Sequence, residues 1–215
     1  MNQQPTVLVM ARAPRPGAVK TRLQPLLGAQ GCARLQAGLI DRTVRLAERV
    51  APGRCWLALD RPSDLPATAR VLRQRGGDLG ARMCDAVEQV CSEQPGPVLV
   101  IGTDVPTLQA RHLRAAAGML AGGVEVVFGP ALDGGYYLIG LRRPYAAVFT
   151  IDPALWGGPQ VLTASLAAAE AIGLRTGRLE PLRDLDTPQD AHALLAGGSL
   201  PEELVRLLRP TAVPS

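Results

Sequence analysis

The chain has 215 residues, of which 47% are hydrophobic, 20% charged and 3% aromatic, with a formal net charge of +4. That length and apolar content fit one large α/β domain, expected to span residues 1–209 and to end in a flexible tail at 210–215. The modest basic balance suits an anionic small molecule, whereas few aromatic rings and no polybasic block speak against a nucleic-acid partner.

Four cysteines, Cys32, Cys55, Cys84 and Cys91, form no Cys-x-x-Cys pair, and only His112 and His192 are available to join them. A structural zinc site is therefore not expected, and the thiols read as small apolar residues of a reduced, cytoplasmic protein. Met1–Thr6 is polar and the apolar run after it is short, so no secretion signal is expected. No apolar run approaches the roughly 18 residues of a membrane span. Composition says little about oligomeric state.

In chain order, Val7–Met10 reads as a buried strand and Gly28–Val50 as an amphipathic helix. Cys55–Leu59 is a second strand, and in the segment after it Arg61–Thr68 is read as a loop with two prolines. Leu79, Met83, Val87 and Val90 share one face of a helix over 79–91, which also places Cys84 and Cys91 on similar faces. Val98–Ile101 is the strongest strand signal. A helix over 113–120 follows, closed by Gly122 and Gly123, with Thr107 as a candidate cap. Strands are expected at 124–128 and 136–141, an Ala-rich helix at 159–172, a last strand at 179–182, and then two short helices. This β-α alternation specifies a three-layer α/β/α sandwich around a mostly parallel sheet. Ligands of such sheets bind beyond the carboxyl ends of the strands, and five segments there hold the densest clusters of Gly, Asp and Arg.

The first, Ala11–Leu23, places Arg12, Arg15, Lys20 and Arg22 around Gly17 and two prolines, a stiff basic loop suited to phosphate oxygens but lacking the P-loop pattern. In the second, Gly76, Gly77 and Asp78 precede a helix whose N-terminal N–H groups can hold an anion, although Asp78 is equally a plain N-cap. The third, Gly102-Thr103-Asp104, puts a carboxylate directly after an apolar strand, in position to hold a divalent ion. The fourth, Asp133-Gly134-Gly135-Tyr136, has the composition of a hairpin turn, yet with Tyr137 it holds two of the chain's three tyrosines. In the fifth, Thr187, Pro188 and Asp190 form a helix start. Asp184 and Asp186 before it are read as alternating to opposite sides, so that one faces Asp104 and the other is solvated or paired with an arginine.

Together, Ala13–Leu23, Gly76–Gly80, Gly102–Pro106, Asp133–Gly140 and Asp184–Thr187 resemble the DUF2064 family, over about residues 6–195. Its relatives are the GT-A type nucleotide-diphospho-sugar transferases, and some members are described as arsenosugar-biosynthesis glycosyltransferases. The resemblance implies a GT-A fold, a nucleotide in the N-terminal half, and Mg²⁺ or Mn²⁺. It also implies kinship with the molybdenum-cofactor and phospholactate guanylyltransferases. By this likeness Gly17, Lys20 and Arg22 belong to the nucleotide loop, Asp104 is the metal aspartate, and Asp133–Tyr136 form the acceptor side. Two departures stand out: a single acid follows the strand where many GT-A enzymes have Asp-x-Asp, and Arg12 stands where the family often has lysine.

The expectation is a glycosyltransferase that uses a nucleoside-diphosphate sugar and a small-molecule acceptor. Metal is assigned to Asp104 with Asp184 or Asp186. The nucleotide is assigned to Arg12, Arg15, Gly17, Lys20, Arg22, Gly76, Gly77, Asp78 and Thr103, and the acceptor to Asp133, Gly134, Gly135 and Tyr136. Catalysis is assigned to Asp133, Lys20 and Arg22. Nucleotidyl transfer from a nucleoside triphosphate needs the same cradle, and a non-catalytic nucleotide-binding module needs the cradle without the metal.

Overall fold

The structure is a computed structural model that describes residues 4–63, 65 and 69–208. The expected tail at 210–215 and part of the 61–68 loop lie outside the described residues. Seven strands form one sheet: β1 (Thr6–Ala11), β2 (Cys55–Leu59), β3 (Arg70–Arg73), β4 (Val98–Ile101), β5 (Val126–Pro130), β6 (Tyr136–Leu141) and β7 (Thr176–Arg178). Their order is β3-β2-β1-β4-β6-β5-β7. Only β6 runs against its neighbours, β4 and β5; the other ladders are parallel.

The apolar runs become strands because both sheet faces are covered. In β1, Val7, Val9 and Ala11 enter one core with Ile40, Val44 and Ala47 of α1 (Gln24–Val50) and Leu113, Ala116 and Leu120 of α3 (Ala110–Ala121). Leu8 and Met10 enter the opposite core, with Met83, Val87 and Val90 of α2 (Leu79–Glu93) and Ala169 of α4 (Val161–Ala171). The three-layer sandwich is thus realised by period-2 strands between period-3.6 helices. Cys84 and Cys91 both pack against the α2–α4 core. A third cluster seats α5 (Pro188–Ala196) and α6 (Glu202–Leu208) on the outer side of α1.

Several boundaries differ from expectation. The long first helix begins at Gln24 but breaks at Gly28 (φ 64, ψ 170), the residue at which its periodicity starts. Helix α3 is capped by Gln109 in a reciprocal box with His112, not by Thr107. The strand expected at 124–128 lies at 126–130. The last strand is 176–178; of 179–182, Leu182 alone bridges to Ala131. Strand β3, where no element was expected, buries only Leu72. At the other end of the chain, Thr187, Pro188 and Asp190 start α5 as expected, with Thr187 and Asp190 capping each other. No helix among the described residues is long and apolar enough to cross a membrane.

Since β1, β2, β4 and β5 run the same way, their carboxyl ends open on one edge, and the order reverses between β1 and its neighbours β2 and β4. That edge collects all five polar segments. Gly80 fixes α2 beneath it: a Cβ there would lie 2.3 Å from the Phe149 carbonyl oxygen and 2.6 Å from the Trp156 ring. Gly80→Ala is therefore expected to cost about 1–3 kcal/mol, lowering the thermal midpoint by roughly 3–10 °C. Gly77→Ala, where a Cβ meets nothing within 4 Å, should melt like the parent.

Candidate active site

The first loop leaves β1 at Ala11 and is folded by its own backbone: Arg15 N–H donates to the Ala13 carbonyl (2.8 Å) and Ala18 N–H to that of Arg15 (3.1 Å). Ala13 N–H donates to Asp60 Oδ1 at 2.7 Å, which ties the loop to the end of β2. Gly17 (φ 79) supplies the turn. Lys20 is the only non-glycine residue with positive φ among those described (φ 48, ψ 40). This left-handed backbone sends its side chain inward. Nζ lies 2.6 Å from Asp104 Oδ1 and 3.3 Å from Asp186 Oδ1, and donates to the Leu185 carbonyl at 2.8 Å. The side chain is 4% exposed. Burial is the largest single influence on its pKa and pulls it down, but the charges and hydrogen bonds of Asp104 and Asp186 together outweigh it and hold the pKa above the usual lysine value.

The turn that carries Asp104 is held from three sides. Arg42 of α1 donates to the carbonyls of Pro106 (3.1 Å) and Leu108 (3.2 Å). Buried Gln36 bridges the Arg12 carbonyl and Thr103 Oγ1 (3.3 and 3.4 Å). Leu185 N–H donates to the Asp104 carbonyl at 2.8 Å. Asp133 sits on the β5–β6 turn, where Gly135 N–H donates to its Oδ1 at 2.9 Å. Gly134 (φ 93) lies so close to Pro159 that a Cβ would meet its carbonyl oxygen at 2.1 Å. The turn is therefore a hairpin between β5 and β6, at the sheet edge where β5 ends.

The expectation that Asp184 and Asp186 point to opposite sides does not hold. Residues two apart in an extended segment share a face; it is Leu185, fully buried among Leu23, Leu35 and Ala191, that points away. Both carboxylates turn to the site. Asp186 pairs with Lys20 and, at 3.6 Å, with Arg22. Asp184 is pushed up to about 8, first by burial, then by the charges of Asp133 and Asp104 and a hydrogen bond with Asp133, against the lowering influence of Lys20. Asp104 and Asp133 thus both lie near enough to Asp184 to disfavour its ionisation, although no three ligating side chains among the described residues are already drawn into a metal cage.

Other expected site residues take structural posts. Asp78 is the N-cap of α2, accepting from Ala81 N–H at 2.8 Å. Thr103 is buried against Gln36 rather than open to a ligand. The hydroxyl of Tyr136 is buried beside Ser165 while its ring packs edge-on against Phe128, so it does not face an acceptor. Lys20 faces the carboxylates rather than a free phosphate site. Arg12, Arg15, Gly17, Gly76 and Gly77 are exposed at the edge. Asp60, Arg61 and Arg82 join Arg12, Ala13 and Arg15 around a cavity of about 240 Å³. Nothing local in the sequence marks those three as one group, since Asp60 and Arg61 follow β2 whereas Arg82 comes from α2. A cavity of about 330 Å³ against α1 is apolar, lined by Ile40, Val44 and Leu57, and lies apart from the carboxylates.

This strand order and its three layers are the fold of solved nucleotide-diphospho-sugar transferase-like and nucleotidyltransferase structures. The chain belongs to the DUF2064 family, described as uncharacterised proteins conserved in bacteria, whose profile matches residues 33–154. No curated protein matches the sequence. A Desulfovibrio desulfuricans G20 structure assigned as a nucleotide-diphospho-sugar transferase superposes with a TM-score of 0.80 at 24% identity, covering 97% of this chain and 100% of the other. CMP:2-keto-3-deoxy-manno-octonic acid synthetase in complex with CTP gives a TM-score of 0.56 at 14% identity (91% and 100% covered). Rv0371c from Mycobacterium tuberculosis H37Rv in complex with manganese gives 0.52 at 16% (90% and 100%).

The raised pKa of Asp184 has a measurable sign. The unfolded chain releases that proton near pH ~3.9, the folded chain at about 8. Ionised Asp184 therefore destabilises the fold increasingly across that window, and fully above it. With chelator present, Asp184→Asn is expected to raise the melting midpoint near pH ~9, with the gain shrinking as pH falls and vanishing only below about pH 4. Equal midpoints at the higher pH would show that Asp184 is not buried against like charge.

Proposed function

We propose that the chain is a metal-assisted glycosyltransferase, which takes its sugar from a nucleoside-diphosphate donor and passes it to a small-molecule acceptor. The observation that carries this reading is the juxtaposition, on one sheet edge, of an arginine-bearing loop and the Asp104–Asp133–Asp184 group. Carboxylates forced together by the fold favour a cation among them, and an all-oxygen donor set suits Mg²⁺ or Mn²⁺. Asp104 and Asp184 would hold that ion, and the manganese complex of Rv0371c supports the assignment by likeness of fold. When bound, the ion would neutralise charge on the donor diphosphate.

The chain's own residues divide the remaining work. Arg12, Arg15 and Arg22 are placed to stabilise the leaving nucleotide, as preorganised donors aimed at developing charge. Lys20, committed to Asp104 and Asp186, positions these carboxylates. Asp133 lies on the exposed turn, with one oxygen fixed by Gly135 N–H, and is the base that takes the acceptor's proton. The 24%-identical Desulfovibrio structure is consistent with sugar transfer. A second reading, nucleotidyl transfer from a nucleoside triphosphate, is favoured by the CTP complex of the synthetase.

The test is a thermal-shift and turnover screen of nucleotides and sugar nucleotides, with and without Mn²⁺. A bound ligand raises the midpoint by mass action. Sugar transfer is expected to release a nucleoside diphosphate, and nucleotidyl transfer pyrophosphate. Asp104→Ala should abolish the metal dependence and lower kcat/KM on the order of a hundredfold or more. A midpoint indifferent to every nucleotide in the presence of metal rejects both readings. Ligand affinity that survives Asp104→Ala with unchanged metal dependence leaves a binding module.

A further inference from the structure

Two polar side chains are buried away from the carboxylates and take no part in the chemistry assigned above. His112, in the first turn of α3, is 2% exposed, and Tyr137 of β6 is 4% exposed. Both reach the same residue, Glu180. His112 Nδ1 accepts from Gln109 N–H at 2.9 Å, so the ring proton lies on Nε2, which donates to Glu180 Oε1 at 2.8 Å. The Tyr137 hydroxyl donates to the Glu180 carbonyl at 3.1 Å. Its ring meets that of His112 edge-on, with centroids 6.3 Å apart. Glu180 itself is 56% exposed and can be satisfied by water. A buried donor without an acceptor is costly, so the two buried groups depend on Glu180 more than it depends on them.

Glu180 lies just past β7, in the run that goes on to Asp184. Leu179 N–H donates to the Phe128 carbonyl (2.8 Å) and Leu182 N–H to that of Pro130 (3.0 Å). The run then leaves β5 and bonds through Leu185 N–H to the Asp104 carbonyl (2.8 Å). Asp104 and His112 belong to one connection, from β4 into α3, and Glu180 and Asp184 belong to another. These connections are therefore joined twice, at Asp104–Leu185 and at His112–Glu180, and the chain between the joints closes a ring. The second joint removes freedom that the first leaves to the run carrying Asp184. The His112 hydrogen bond is also the first influence that draws the Glu180 carboxyl below its usual pKa, with Arg111 adding to it from the surface. The ring is thus closed on a carboxylate, which accepts more strongly than a neutral group.

We infer that His112 is a positioning residue: acting through Glu180, it fixes the segment that carries Asp184 against the Asp104 turn, and so sets the affinity of that carboxylate pair for a divalent ion. For the ion this rests on the proposed metal site, and for the placement on hydrogen bonding alone; separate readouts distinguish them. One is amide hydrogen exchange at Leu185 in the full chain with excess EDTA, compared with Val9 in β1. The other is calorimetric titration of Mn²⁺ into the full chain without nucleotide. Glu180→Ala removes the acceptor. His112→Asn keeps an acceptor beside Gln109 N–H but is too short to reach Glu180. Each is expected to speed exchange at Leu185 about tenfold or more, with Val9 unchanged, and to weaken Mn²⁺ about tenfold. Glu180→Gln still accepts from His112 and should recover most of both losses. Arg111→Met removes only the exposed pair and should leave both readouts unchanged.

Parent-like exchange at Leu185 in either Glu180→Ala or His112→Asn overturns the inference. Faster exchange with unchanged Mn²⁺ affinity overturns it too, since His112 then supports the fold and not the carboxylate pair. The same holds if Val9 accelerates as much as Leu185, or if Glu180→Gln recovers nothing. A parent chain that binds no Mn²⁺ rejects the proposed metal site, and exchange at Leu185 then decides the placement alone.

Discussion

One buried ammonium holds the working edge of this molecule together. Lys20 is removed from water, which is costly for a charge, and is compensated by two carboxylates and a carbonyl drawn from two distant segments. Its partners are themselves about half exposed, Asp104 at 53% and Asp186 at 47%, so the cluster is screened on its outer side and the attraction is weaker than in a dry core. What it provides is position. The left-handed backbone at Lys20, the strand end at Asp104 and the extended run at Leu185 each have one arrangement in which these atoms meet. On the acidic side of the first loop Lys20 is joined by Arg22, which reaches Asp186 at 3.6 Å, while Arg12 and Arg15 stay outside the cluster.

Around this centre the supports are mostly neutral amides acting on backbone. Strand ladders stop at the carboxyl edge, and the last carbonyls need partners. Gln74 meets two of them at once, donating to the carbonyls of Ala11 (3.0 Å) and Ala58 (2.8 Å). Gln36 does the same between the first loop and Thr103. Arg42 spends its charge on carbonyls of the Asp104 turn, and burial pulls its pKa down. The loops that meet a ligand are thus fastened from behind, which leaves Arg12, Arg15 and Asp133 free at the front.

The layered core was legible because β1, β2 and β4 are apolar on both faces and bounded by polar turns. Strands β3 and β7 were not, for the same reason inverted: Arg-Val-Leu-Arg buries one side chain and Thr-Gly-Arg none, so pairing with a neighbour, rather than burial, makes them strands. Asp104 was legible as an acid at a strand end. The convergence of Asp184 and Asp186 was legible too, since parity along an extended chain places both on one face, and their expected divergence was a miscount of that period. Gln36, Arg42, Gln74 and Arg82 were not legible. Each acts on backbone or cavity contributed by other elements, and no local pattern records such a meeting. Tyr136 misled because an aromatic beside a glycine turn has the same composition whether its ring faces a ligand or the core.

The bond from Lys20 to the Leu185 carbonyl spans 165 positions. A ribosome therefore delivers the basic loop early and its counter-charges near the end. A nascent chain that has passed Asp104 already owns the central strands, yet its lysine has only one of its two acids, and the acidic group lacks Asp184. Competence to bind arrives late and all together, when the final extended run docks against the first loop. A chain cut short before that point could keep much of its sheet and still have no complete site to offer.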